Sequence, residues 1–158
     1  ALNENRAKFG TQAEKFEAEA RFFRAYISFL IMRSHASEED NLGLIIRQDL
    51  NSMDATLKSK TRASISDSWD FIENDLKYCT EADRLPKTAL AGQVTYYAAQ
   101  ALMARAMLYA KRYSKAIAAA RTIEGKFSYV DDYASIFKNV NNSEVILGVF
   151  LEISRPDT

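Results

Sequence analysis

Apolar residues recur at steps of three and four along the first part of the chain. Between about Thr11 and Arg33, Ala13, Phe16, Ala20, Phe23, Ile27 and Leu30 line one face of a helix, and Phe22, Tyr26 and Phe29 form an adjacent stripe. So wide an apolar arc predicts a helix packed on two sides. Its arginines, Arg21, Arg24 and Arg33, would lie along the edges, stems on apolar surface and heads reaching water or a carboxylate. The polar run 34–41 reads as a loop leading into LGLII, 42–46, as a strand or simply extended chain. Beyond a second loop, Ser64 with Asp67 makes a capping box, and Ile65, Trp69, Ile72, Leu76 and Cys79 share the face of the helix it starts.

Pro86 closes that region. From about Leu90 a nearly all-apolar helix is predicted, whose alanines at 98, 99, 101, 104, 106 and 110 let neighbouring helices approach closely. A tight turn near Tyr113 and Ser114 leads to a shorter helix ending at Glu124, with Gly125 suited to the left-handed residue that stops it. Residues 130–137 suggest a brief helix with Asp131 and Asp132 at its start, and 144–152 has the β-branched character of a strand. A lone strand is marginal in water, so this one needs a partner, and 42–46 is the other candidate.

Met103, Ala104, Met107, Tyr113, Ala116, Ile117, Ala120 and Ile123 have the spacing of a tetratricopeptide unit, small where two helices cross. The helices beginning near Thr11 and Ser64 would form a second pair joined by a long loop. The fold class predicted is mainly α: a tetratricopeptide-like helical repeat, an α-α superhelix, with one or two short strands.

The totals narrow the function classes. With 158 residues, 47% of them hydrophobic, the chain can bury a core as one domain. Its 21 basic and 21 acidic residues give no excess of positive charge for a nucleic-acid surface. One cysteine, Cys79, allows no internal disulfide. No apolar run reaches the roughly 18 residues of a membrane span.

Four stretches, in order, carry a resemblance: AEARFFRAYISFLIMR at 18–33, RASISDSWDFIENDL at 62–76, GQVTYYAAQALMARAMLYAKRYSKAIAAA at 92–120 and NNSEVILGVF at 141–150. Together they resemble the SusD/RagB-like family of outer-membrane nutrient-binding lipoproteins. The resemblance implies one helical domain over 1–158, the middle of a longer chain. It also implies non-catalytic capture of nutrient oligomers, most simply glycans, at the outer-membrane surface. Import would follow through a SusC-like TonB-dependent transporter, which the helical face would contact. A lipid anchor outside these residues would tether the protein, since Cys79 lies inside a predicted helix. Oligopeptide binding, as in RagB-like proteins, and a tetratricopeptide protein-interaction scaffold are the alternatives. No cofactor is implied.

Sugar sites combine aromatic faces with polar groups that bond hydroxyls, which makes His35, Asn41 and Trp69 the ligand candidates here. Each has a plainer reading. Trp69, the only tryptophan, falls on a helix stripe and reads as core, as do Tyr96 and Tyr97 at the start of a buried helix. His35, the only histidine, lies near Glu38, Glu39 and Asp40, too loosely spaced for a metal site. The neighbouring acids Glu38 and Glu39, like Asp131 and Asp132, read as surface charge rather than a glycosidase pair. No Gly-x-Ser-x-Gly elbow or glycine-rich phosphate loop is present, so no enzyme activity is expected.

Overall fold

The computed structural model describes residues 8–10, 12–47, 60–88, 92–138 and 142–148. Among them run α1 (Gln12–His35), α2 (Ile65–Thr80), α3 (Tyr96–Tyr109), α4 (Tyr113–Arg121) and α5 (Tyr133–Lys138). α1 packs on α2, α2 on α3 and α3 on α4. The Cys79 thiol near the end of α2 meets the Ala18 carbonyl near the start of α1, and Trp69 early in α2 packs on Phe29 late in α1. The two helices are therefore antiparallel. With the tightly turned α3–α4 pair they make the two stacked helix pairs expected of a tetratricopeptide-like arrangement.

Each start has a local cause. The Ser64 hydroxyl accepts from the Asp67 N–H at 3.0 Å and donates to the Asp67 carboxylate at 2.7 Å, the expected cap of α2. Thr95 caps α3 by accepting from the Ala98 N–H at 3.0 Å. This fixes its start at Tyr96 rather than near Leu90, which itself lies outside the described residues. The α3–α4 turn spans 110–112, slightly before the expected Tyr113 and Ser114. α4 closes at Arg121 and a run of turns follows, with Gly125 at φ +69°, the predicted left-handed position.

The core joins Ala18, Phe22, Ala25, Phe29 and Met32 of α1 to Trp69, Ile72, Leu76 and Cys79 of α2 and to the alanines and methionines of α3. On α2 the expected stripe is buried. On α1 it is corrected. Ala13 is buried, but Phe16, Phe23, Ile27 and Leu30 are exposed, Ile27 to 56%. The buried face instead steps 18, 22, 25, 29, 32, where two alanines let α2 approach closely. Packing distance decides here, and a scan that weights large side chains favours the wrong stripe.

Two buried carboxylates on α2 tie the stack together. Asp75 receives Arg24 through two bonds of 2.6 and 2.7 Å, with Arg21 at 3.5 Å. Glu73, two residues earlier, receives Arg112 and Lys115 at 2.6 Å each and Lys77 at 2.8 Å. Burial alone would raise the Glu73 pKa, but the bonds from Lys115, Lys77 and Arg112 outweigh it and lower it to about 2.

No named strand occurs among the described residues. Residues 43–46 have no regular secondary structure, and an isolated bridge pairs Leu42 to Ser37. Gly43 and Leu44 are held instead by single bonds to Ala63 and by the Ser68 hydroxyl, which donates to the Ser64 carbonyl and accepts from the Leu44 N–H at 2.8 Å. Of the expected strand at 144–152, residues 144–148 are irregular, with Ile146 and Leu147 packed on the core, and 149–152 lie outside the described residues.

Candidate functional site

Two concave regions flank the junction of α1, α2 and the connection after α1. The first, about 600 Å³, is lined mainly by Ile31, Leu44, Ile45, Ile46 and Phe71, with Arg24, Arg62 and His35 at its border. The two guanidiniums of Arg24 and Arg62 are occupied: Arg24 binds Asp75, and Arg62 donates to the carbonyls of His35, Leu42 and Gly43 at 2.5, 3.1 and 2.8 Å. The His35 backbone thus helps anchor the segment that follows it.

The second is a cleft of about 430 Å³ lined by Glu38, Asn41, Ile65, Ser66, Trp69, Tyr109, Lys111 and Arg112. It brings Asn41 and Trp69 together and leaves His35 in the other cavity. The Asn41 Oδ1 accepts from the Ile65 N–H at 3.1 Å, so its carbonyl oxygen caps α2 and its amide NH₂ is the group left to donate. Trp69 is 8% exposed, a core residue as expected, with its border on the cleft. Tyr109 is 47% exposed, and its ring is fixed by an edge contact with Phe29 at 5.3 Å and by the Arg33 guanidinium at 5.3 Å.

The far wall is a turn of unusual composition. The Arg112 N–H bonds the Met107 carbonyl at 2.8 Å and the Lys111 N–H bonds the Leu108 carbonyl at 3.1 Å, the paired closure of a Schellman motif. Its left-handed residue is Lys111, φ +60°, where glycine is the usual choice. The Lys111 ammonium reaches Glu38 at 3.2 Å across the mouth. Arg112 binds Asp70 at 2.7 Å and Glu73 at 2.6 Å; burial opposes its charge, but the Glu73 and Asp70 bonds win and raise its pKa.

Tyr109, Lys111 and Arg112 do not stand out in the sequence, where the apolar pattern predicts one helix continuing to Tyr113. The break of the apolar pattern at Lys111 and Arg112 was the signal available. Of the other acids, Glu38 pairs with Lys111, the Asp40 carboxylate accepts from the Ser37 hydroxyl at 2.8 Å, and the Asp132 carboxylate accepts from the Ala134 N–H at 3.0 Å at the start of α5. Tyr96 and Tyr97 stack edge to face at 5.4 Å. Among the described residues no three His, Cys, Asp or Glu side chains gather as metal ligands would, and no helix is long and apolar enough to cross a membrane.

No protein-family model matches the sequence, and no curated protein does. Solved structures do. A SusD-like protein from Bacteroides fragilis NCTC 9343 is 28% identical with a TM-score of 0.71, the match covering 87% of this chain and 27% of that one. A SusD superfamily protein from Bacteroides vulgatus ATCC 8482 is 22% identical with a TM-score of 0.77, covering 92% and 31%. A laminarin-binding SusD-like protein is 23% identical with a TM-score of 0.73, covering 87% and 30%. The chain spans under a third of the length of these proteins, and over that span its helices make it SusD-like in fold.

Proposed function

We propose that this chain is the helical part of a SusD-like protein that captures nutrient glycans at the outer-membrane surface, without catalysis, for import by a SusC-like TonB-dependent transporter. A lipid anchor outside the 158 residues would hold the protein at the membrane. The observation that supports this is the likeness to SusD-like structures across nearly nine-tenths of the chain, one of them of a laminarin-binding protein.

Isothermal titration of the full-length gene product against panels of oligosaccharides and oligopeptides tests the reading. Binding of an oligosaccharide with a dissociation constant between about 1 µM and 1 mM, roughly 8 to 4 kcal/mol, is the expected result. Binding of oligopeptides alone moves the protein to the RagB-like kind of ligand. Silence in both panels removes the capture function.

A further inference from the structure

We propose that the cleft between the 38–41 loop and the α3–α4 turn binds one pyranose ring of a neutral oligosaccharide, with Tyr109 as the stacking face and Glu38, Asn41 and Lys111 bonding the hydroxyls. This rests on the glycan reading above and locates a site for it.

Four observations converge. The cleft holds about 430 Å³, within the range of small-ligand sites, which is roughly 300–1,000 Å³. Tyr109 offers nearly half its surface while Phe29 and Arg33 fix its ring, so stacking on it immobilises little that was free. The polar groups are of both kinds: the Glu38 carboxylate accepts, while the Lys111 ammonium and the Asn41 NH₂ donate, the last oriented by the bond from Ile65 N–H to its own oxygen.

Charge supplies the fourth and selects the class of ligand. Lys111 faces Glu38, and Arg112 is held by Asp70 and Glu73. Every cation on the cleft has its anion, so neither a phosphate nor an acidic peptide finds an uncompensated charge. A polyhydroxylated neutral ring needs none. The other cavity, larger but apolar, has guanidiniums already bonded to protein and offers little to sugar hydroxyls.

The test uses the full-length gene product with oligosaccharides of glucose, xylose and mannose, measured by titration on the native protein and three variants. Tyr109→Ala removes the stacking ring. Lys111→Gly removes a bonding group while suiting the left-handed turn, so it keeps the fold even where Tyr109→Ala does not. Tyr129→Ala alters a side chain 91% exposed on a different cavity and serves as control. Weakening by about tenfold for Tyr109→Ala and at least about threefold for Lys111→Gly, with Tyr129→Ala unchanged, is expected. Hydrogen exchange at 109–112 should slow when the sugar binds. If an oligosaccharide binds the native protein while Lys111→Gly binds equally well and exchange at 109–112 does not change, the site is wrong and the glycan reading stands. If no oligosaccharide binds, both fall.

Discussion

Gly43 lies against Ser68 so closely that a Cβ built on it would sit 2.0 Å from the Ser68 Oγ and 2.7 Å from the Ser64 carbonyl oxygen. The serine can turn away, but the carbonyl belongs to the N-cap of α2 and cannot. Gly43→Ala is therefore expected to destabilise the protein by about 2 kcal/mol or more, read as a lowered denaturant midpoint at unchanged m-value. An unaltered midpoint would mean that the 42–46 segment is not docked on α2.

Asp75 and Arg24 invite a double substitution. Asp75 is buried and bonded twice by the Arg24 guanidinium, so Arg24→Leu, which leaves that carboxylate without its main partner, should cost about 3 kcal/mol. Arg24→Lys should recover little of the native stability, because an ammonium cannot reproduce the planar fork. Replacing both Arg24 and Asp75 by leucine should restore much of the loss that Arg24→Leu alone causes, since no buried charge is left without a partner. Chemical denaturation of the four proteins gives the comparison.

The pH profile of stability should be eroded from both ends by identified groups. Glu73 titrates lower in the fold, near 2, than its ordinary 4.5, so its contribution is complete above about 4.5 and is lost as pH falls through 2. Cys79 is the opposite case. Burial, and then the nearby Asp75 charge, push its thiol from 9.0 up to about 12, so its contribution is intact below 9 and lost as pH rises towards 12. At pH 8 Cys79 should resist a thiol reagent until denaturant opens the core, and fast labelling of the native protein would contradict its burial.

Lys111→Gly should raise stability. A non-glycine residue in the left-handed region costs roughly 1 kcal/mol, and the Lys111–Glu38 pair it gives up is largely exposed and contributes little. An increase of about 1–3 °C in the unfolding midpoint is expected by calorimetry. A decrease would show that the ion pair across the cleft matters more than the backbone strain.

What the sequence revealed and what it hid divide along physical lines. The cap at Ser64 and the buried stripe of α2 are local properties of a few neighbouring residues and were legible. So were the paired helices, because apolar period and small residues encode them. The true face of α1 was not, since Ala18 and Ala25 matter through the closeness they permit rather than the area they bury. Partnerships such as Arg24 with Asp75, 51 positions apart, exist only once the helices are assembled. Of the ligand candidates, Asn41 and Trp69 meet in one cleft while His35 lines another. Tyr109 was hidden because its exposure depends on a turn that closes through a lysine in place of glycine.

Glu73 and Asp75 sit two positions apart on α2, a rotation of about 200°, and each is claimed by cations from a different neighbour. The helix is thus keyed on both sides at one level, like an axle with two flats. Adding or removing a single residue within that turn would rotate one carboxylate by about 100° out of phase with its cations, whatever the surrounding apolar contacts did. An engineered insertion should therefore be rejected at the centre of α2, and equally in the α3–α4 turn, where it would displace Arg112 from Glu73.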